Sequence, residues 1–355
     1  MNDNQEKNDG KKPSPAAYIN PLSENTKQSM FSRIMVALVL ILVTVPCIIV
    51  GDYLYFTFIS IAALIACHEL ISAPQSLTHK YKGIIYFFAY AFMILMIYWI
   101  FIKNNVIEYQ YLKSLGRQDE FVFSLHNAFN VPQISLSAFT VSIGFFFLMV
   151  ITDQNFKIND AFYFITMLFI VSIGFQCALF LRYFPFTDSA KDTALIATNE
   201  FKYWQSTELL IYVLLGDCMN DAGAYFVGVL FGRHHMTPIV SPKKTWEGFA
   251  GGVVISLISS LSFALIFDAC GFPMTSFLDI THWYNVLILS LIIPLTATLG
   301  DLMFSAIKRN FGIKDFGTIL KSHGGILDRI DSIIFTCISS SLLIVLMNHN
   351  WGIFL

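Results

Sequence analysis

Charged side chains are scarce in this sequence. Only 13% of its 355 residues are Asp, Glu, Lys or Arg, whereas 55% are hydrophobic and the mean hydropathy is +0.63. A soluble domain of this length carries more charge, and its apolar runs are shorter and amphipathic. The scarcity of charge therefore excludes an ordinary soluble domain and indicates an all-α, polytopic integral membrane protein.

Cysteine is also sparse, and neither sign of charge dominates. The six cysteines lie singly and form no CxxC pair, so the sequence gives no sign of a disulfide framework or a zinc site. The net charge of −2 lacks the basic excess of nucleic-acid-binding proteins, and we expect no nucleic-acid partner.

The first apolar run begins late and has no A-x-A cleavage site, which favours a retained span over a cleaved signal peptide.

Long apolar runs with few charges can cross a hydrocarbon core of about 30 Å. Nine runs predict nine transmembrane helices: Arg33–Val50, Tyr53–Ile71, Gly83–Ile102, Gln133–Ile151, Ala161–Leu181, Trp204–Phe231, Phe249–Phe267, Tyr284–Gly300 and Ile330–Met347. We divide the chain into a disordered cytoplasmic tail (1–32), N-terminal transmembrane helices (33–200) and a C-terminal catalytic transmembrane region (201–355).

Basic residues predict the orientation of these spans. If the N-terminus is cytoplasmic, sixteen of the 22 Lys and Arg residues fall in cytoplasmic segments. The positive-inside rule then places the N-terminus in the cytoplasm and the C-terminus outside. In a bacterium, the protein would lie in the cell membrane with its charged C-terminal loops facing the cytoplasm.

The stretch from Gly300 to Asp331 concentrates the scarce charge between two apolar spans. A carboxylate at membrane depth costs roughly 3 kcal/mol or more unless it is paired, hydrated or bound to metal. Asp328 and Asp331 are three residues apart, so they share a helix face, and the preceding loop can bring Asp301 alongside them. Grouped carboxylates suit Mg²⁺, which also takes substrate phosphate oxygens. The alternative is a cytoplasmic loop whose aspartates balance its basic residues.

Basic and glycine residues in the same stretch fit an anionic substrate. Gly324 and Gly325 would let the backbone approach a phosphate, with His323 beside them. Positive charge for phosphate groups comes from five residues: Lys308, Arg309, Lys314, Lys321 and Arg329. Phosphoryl or nucleotidyl transfer requires carboxylates that bind a metal ion next to basic residues that bind phosphate groups.

Two earlier segments also carry candidate residues. The sixth span contains Asp217 and Asp221 on one face, with small residues that would let another helix approach closely. The loop from Ser241 to Gly248 offers four phosphate-binding groups: Ser241, Lys243, Lys244 and Thr245. The alternative is that the two lysines only set the orientation of the following span in the membrane. We interpret His68 and Glu69, at the end of the second span, as an interfacial pair.

These motifs resemble the phosphatidate cytidylyltransferase (CDP-diacylglycerol synthase) family. The resemblance lies in Ser305-x-Ile-Lys308-Arg309, Lys314-Asp315 and His323-Gly324-Gly325-Ile-Leu-Asp328-Arg329-Ile-Asp331. The segments Ser241-Pro-Lys-Lys-Thr-Trp-Glu-Gly248 and Asp221-x-x-Ala-Tyr225-x-x-Gly228 are similar too, and occur in the same order. One departure is Lys321, where family members usually have Pro or Gly.

The resemblance implies that CTP and membrane phosphatidate are converted to CDP-diacylglycerol and pyrophosphate with Mg²⁺. It implies a metal site at Asp301, Asp328 and Asp331. We predict catalytic roles for Asp221, Lys308, His323, Asp328 and Arg329. We predict substrate-binding roles for Ser241, Lys243, Lys244, Thr245, Ser305, Arg309, Lys314, Gly324 and Gly325. A second, monovalent cation and a homodimer are both left open.

Two other functions compete with this one. The first is a related CTP-dependent enzyme that acts on another membrane lipid, such as an isoprenoid or an ether lipid. The second is an ion-coupled transporter, whose ionisable groups usually lie near the midplane on broken helices in corresponding halves. Here the acidic groups gather in the C-terminal part of the chain, which favours an enzyme.

Overall fold

A computed structural model describes residues 39–76, 80–114, 132–189, 199–271, 274–275, 277–319 and 324–348. Within these ranges the chain is helical, apart from loops and one short hairpin. The helices are α1 (Val39–Val50), α2 (Asp52–Ser72), α3 (Gly83–Ser114), α4 (Pro132–Thr152), α5 (Ile158–Ser189), α6 (Asn199–Phe231), α7 (Trp246–Ala269), α8 (Trp283–Asn310) and α9 (Leu327–Asn348). The predicted tail, residues 1–32, lies outside the described residues.

Six helices in the described part of the chain are long and apolar enough to cross a membrane. They are α2, α5, α6, α7, α8 and α9. The other three predicted spans each contain a shorter apolar helix among the described residues: Val39–Val50, Gly83–Tyr98 and Thr140–Thr152. The all-α, multi-pass membrane class is therefore confirmed.

Helix α5 is the most buried of the six and organises the bundle. It packs against α2, α3, α4, α6 and α9, and hydrogen bonds tie its backbone and side chains to neighbours. Tyr55 Oη on α2 donates to Ala178 O at 3.2 Å, and Ser341 Oγ on α9 donates to Cys177 O at 3.3 Å. Bonds of this kind satisfy polar groups where no water is available.

Helices α6 and α7 pack together at close range through small residues. A Cβ atom added at Gly248 would lie 3.2 Å from Gly228 Cα, and one at Gly252 would lie 2.8 Å from Asn220 O. Only glycine lets the two backbones approach this closely. This contact fixes the polar face of α6 beside the start of α7.

The predicted end of the eighth span differs from the structure. The eighth span was expected to end at Gly300, but α8 continues to Asn310. No Gly or Pro interrupts the chain between Gly300 and Gly312, so the helix continues after the apolar run stops, where hydropathy alone could not detect it. Asp301, Ser305, Lys308 and Arg309 therefore lie on a rigid helix instead of a loop.

The segment between α6 and α7 was expected to be a loop, and it contains a small hairpin. Strand β1 (His235–Thr237) pairs antiparallel with β2 (Ser241–Thr245). Helix α7 begins directly after it, and Gly248 N donates to Thr245 Oγ1 at 3.1 Å as an N-cap. The hairpin thereby holds Lys243 and Lys244 next to the start of α7.

Candidate functional site

The buried amine of Lys308 joins α8 to α9. Its Nζ atom lies 3.0 Å from Asp328 Oδ1 and 3.4 Å from Asp331 Oδ2, and all three side chains are almost inaccessible to solvent. Two carboxylates one helical turn apart would repel each other in a low-dielectric setting, and the shared ammonium offsets that repulsion. Lys308 is thus an internal ion-pair partner in this structure.

Asp328 fastens the loop that precedes α9. Its Oδ2 atom accepts hydrogen bonds from Phe316 N at 2.8 Å and from Gly325 N at 2.9 Å. Gly324 has φ +79°, which side-chain-bearing residues rarely adopt. Asp328 therefore holds both the segment after α8, at Phe316, and the residue that follows Gly324.

Asp301 lies on α8, two turns before Lys308, and is more exposed to solvent than the buried cluster. It forms an ion pair of 2.5 Å with Lys244 Nζ from the hairpin. Ser305 Oγ, one turn later on α8, donates to Asp301 Oδ1 at 3.3 Å. The side chain of Asp301 is 30% exposed, so it is accessible to a ligand whereas Asp328 is not.

A cavity of about 230 Å³ lies between α6, the hairpin, the start of α7 and α8. Its polar lining includes Asn220, Asp221, Lys243, Lys244 and Asp301. Asp221 interacts electrostatically with Asp301, Lys244 and Arg329, and both Asp221 and Arg329 are exposed. The cavity thus combines accessible carboxylates with accessible cationic groups, as an anionic ligand with a bound cation would need.

Other predicted residues have structural contacts in this arrangement. Thr245 caps α7, and Arg309 donates from Nε to Val240 O at 3.3 Å and from Nη1 to Ile313 O at 3.1 Å. Ser241 begins β2. Lys314 is exposed on the segment after α8. Arg309 therefore connects that segment to the hairpin.

The structure brings most of the predicted residues to one end of the bundle. Asp221, Lys243, Lys244, Asp301 and Arg329 surround the cavity or its edge, and Lys308, Asp328 and Asp331 form the buried cluster behind it. Gly324 and Gly325 shape the turn before α9. His323 and Lys321 lie outside the described residues.

Deeper in the bundle, a second carboxylate pairs with hydroxyl groups. Asp217 is buried and accepts hydrogen bonds from Ser332 Oγ at 3.0 Å and Thr336 Oγ1 at 2.9 Å. Beside it, Asn220 Nδ2 donates to Thr298 Oγ1 at 3.3 Å. These bonds fix α6 against α8 and α9 directly below the cavity.

The donor chemistry of the site fits Mg²⁺ bound together with a phosphate ligand. Asp301 interacts electrostatically with Asp221 on one side and with Asp331 on the other, and all offer hard oxygen ligands. Among the residues that the structure describes, no group of three or more His, Cys, Asp or Glu side chains is arranged to hold a metal. Mg²⁺ needs only one or two protein carboxylates when phosphate oxygens and water complete its shell.

Glu69 contacts the site in a way that sequence reasoning missed. It was interpreted as part of an interfacial pair, but its carboxylate is buried against the turn before α9 and accepts from Ile326 N and Leu327 N. A signal was present, because Glu69 is the single Asp, Glu, Lys or Arg residue between Tyr53 and Ser72. A single carboxylate in an apolar span is costly unless it is paired with another polar or charged group, so a partner was to be expected.

Comparison with known proteins gives one consistent result. The pattern described as "Cytidylyltransferase family" matches residues 31–347. The chain is 29% identical over 320 residues to the phosphatidate cytidylyltransferase of Staphylococcus haemolyticus, covering 89% of this chain and 99% of that protein. The same named enzyme of Staphylococcus epidermidis is 29% identical over 308 residues, covering 85% and 94%. That of Mycobacterium bovis is 41% identical over 128 residues, covering 36% and 38%.

Proposed function

The chain belongs to the cytidylyltransferase family, and we propose that it converts CTP and phosphatidate to CDP-diacylglycerol and pyrophosphate. The observation that carries the proposal is a relative, named for that activity, that aligns over 99% of its own length. The cavity supports it independently, because accessible carboxylates and amines meet there at one end of membrane-spanning helices. The protein is accordingly a nucleotidyltransferase, and its substrates are one water-soluble nucleotide and one lipid.

The reaction needs neutralisation of charge more than it needs a strong base. A phosphate oxygen of phosphatidate attacks the α-phosphorus of CTP, the bond from that phosphorus to the bridging oxygen breaks, and pyrophosphate leaves. Both reactants are anionic, so positive groups must offset their repulsion. We assign this role to Lys243, Lys244 and Arg329, which lie at or near the cavity and reach it from β2 and α9.

We further propose that Asp301 and Asp331 hold Mg²⁺, with Asp328 and Lys308 positioning Asp331 from behind. When bound, Mg²⁺ would supply neutralisation of the triphosphate oxygens. Asp301 is the more accessible of the two carboxylates, and Ser305 orients it through the hydrogen bond along α8. Asp221, on the facing helix, would supply a further oxygen ligand.

Isotope placement in the product tests the reaction directly. Purified protein would be incubated with CTP labelled at either the α- or the γ-phosphate and with phosphatidate, diacylglycerol or a polyprenol. We expect α-label in a lipid product only with phosphatidate, and γ-label only in released pyrophosphate. Transfer of γ-label to any lipid would identify a CTP-dependent lipid kinase, and α-label in a polyprenyl product would change the substrate.

We also propose nine spans with a cytoplasmic N-terminus and the cavity on the cytoplasmic side of the cell membrane. Such a site would let the acyl chains remain in the bilayer while CTP arrives from the cytoplasm. The distribution of basic residues supports this orientation. It places the hairpin inside and the connection between α7 and α8 outside.

Single cysteines in a cysteine-free background test that orientation. Lys243→Cys on the exposed part of the hairpin should react with a membrane-impermeant thiol reagent only after cells are opened. Ile280→Cys, at a position 61% exposed between α7 and α8, should react in intact cells or spheroplasts. The reverse labelling pattern would invert the protein and separate the cavity from cytoplasmic CTP.

A further inference from the structure

Glu69 binds the start of α9 from a helix more than 250 positions earlier in the sequence. Ile326 N donates to Glu69 Oε1 at 3.0 Å, and Leu327 N donates to Glu69 Oε2 at 2.8 Å. These N–H groups belong to the first residue of α9 and the residue before it, which have no partner within the helix. A carboxylate at that position also interacts favourably with the helix dipole.

Two glycines are fitted around the same carboxylate. A Cβ atom at Gly317 or at Gly325 would collide with the Glu69 carboxyl group. Gly317 lies on the segment that follows α8, and Gly325 lies on the turn that leads into α9. Glu69 therefore contacts both arms of the connection between the two helices that carry the acidic cluster.

The contact passes directly to the residues of the proposed site. Asp328 follows Leu327 and fastens the same connection through Phe316 N and Gly325 N. Arg329 and Asp331 lie within the first turn and a half of α9. A shift at Ile326 and Leu327 would therefore move Asp328, Arg329 and Asp331 together.

We propose that Glu69 is a positioning residue for the cytidylyl transfer reaction. Glu69 does not line the cavity. It interacts with the buried cluster electrostatically, through Asp328, and it acts by fixing where α9 begins. The N-terminal helices thereby contribute to the geometry of a site whose motifs all lie after residue 216. This inference rests on the proposed function.

Steady-state kinetics of Glu69→Gln separates positioning from general stabilisation. Glutamine keeps the size of the side chain, but its amide nitrogen cannot accept from a backbone N–H. We expect kcat to fall roughly 10- to 100-fold, as for other residues that orient active groups. The KM values for CTP and phosphatidate should change less than about threefold, because the cavity lining is untouched.

Asp160→Asn is the matched control. Asp160 is also a buried carboxylate near the start of a helix, accepting from Lys157 N at 2.9 Å and from Tyr81 Oη at 3.0 Å. It lies on α5 and contacts neither arm of the connection. The control should keep wild-type kcat, and its melting temperature in detergent gives the change expected from losing a buried carboxylate.

Gly325→Ala perturbs the same contact from the other side. It should reproduce the fall in kcat, and the double variant Glu69→Gln/Gly325→Ala should be no more than about twofold worse than the poorer single variant, because both disrupt one contact. Wild-type kcat in folded Glu69→Gln, or fully multiplicative effects in the double variant, would overturn the inference. Failure of the wild-type protein to make CDP-diacylglycerol would instead overturn the proposed function.

Discussion

Asp301→Asn is expected to reduce turnover by roughly two to three orders of magnitude, the loss seen when one preorganised electrostatic group is removed from an active site. Asparagine keeps the shape of the side chain but deletes the charge that a bound cation requires. Folding should be little affected, because the Asp301–Lys244 pair is partly exposed and contributes at most about 1 kcal/mol. The measurements are CDP-diacylglycerol formation at saturating Mg²⁺ and thermal unfolding in detergent.

Asp268→Asn provides the comparison for Asp301→Asn. Asp268 lies on the last turn of α7, roughly 33 Å from the start of that helix at 1.5 Å per residue, and it accepts from Ile280 N. An asparagine carbonyl can still accept that hydrogen bond, so turnover should stay at the wild-type level. Near-normal turnover in Asp301→Asn would remove Asp301 from the proposed cation site.

Lys308→Met is expected to abolish activity and also to destabilise the protein strongly. The substitution leaves Asp328 and Asp331 buried without their shared cation, and breaking a buried ion pair from one side costs about 3–5 kcal/mol. Either the carboxylates take up protons or the start of α9 moves. Both outcomes disturb the proposed site, so the folded fraction should also turn over slowly.

A second substitution separates these two effects of Lys308→Met. In Lys308→Met/Asp331→Asn one of the two uncompensated charges is gone, so the double variant should be more stable than Lys308→Met alone. Its activity should remain absent, because a proposed Mg²⁺ ligand has been removed as well. If Lys308→Met unfolds at the wild-type temperature, the ion pair does not hold the two helices in the way the structure indicates.

Hydropathy located the apolar parts of the helices but not every helix end, because the cost of burying charge in lipid leaves long uncharged runs in the sequence. The runs at Tyr53–Ile71 and Phe249–Phe267 fall within α2 and α7. Helical spacing also predicted that Asp328 and Asp331 share a face, and Lys308 contacts both of them. Both predictions depend only on residues that are close in the sequence and on the apolar interior of the bilayer.

The pairing of charges could not be predicted in the same way. Lys308 was predicted to be catalytic and to supply positive charge for phosphate groups. In the structure its amine lies between two carboxylates, because α8 continues through Lys308 as a helix. Thr245 was assigned to phosphate, yet its hydroxyl caps α7. The type of a residue limits which partners its side chain can contact. Which of those partners it does contact depends on distances that are set by the packing of the helices.

Glu69 also has a consequence for how the protein is made. The backbone groups that it accepts from lie 257 and 258 residues later in the chain. At a synthesis rate of about 5–20 residues per second, roughly 13–50 s pass between the translation of Glu69 and that of its partners. Throughout that interval the side chain lacks these partners, so it either stays hydrated at the membrane surface or takes up a proton. The site therefore cannot assemble until the last helix has been delivered, and a nascent chain that stalls before α9 is inactive however many of its helices are already in the bilayer.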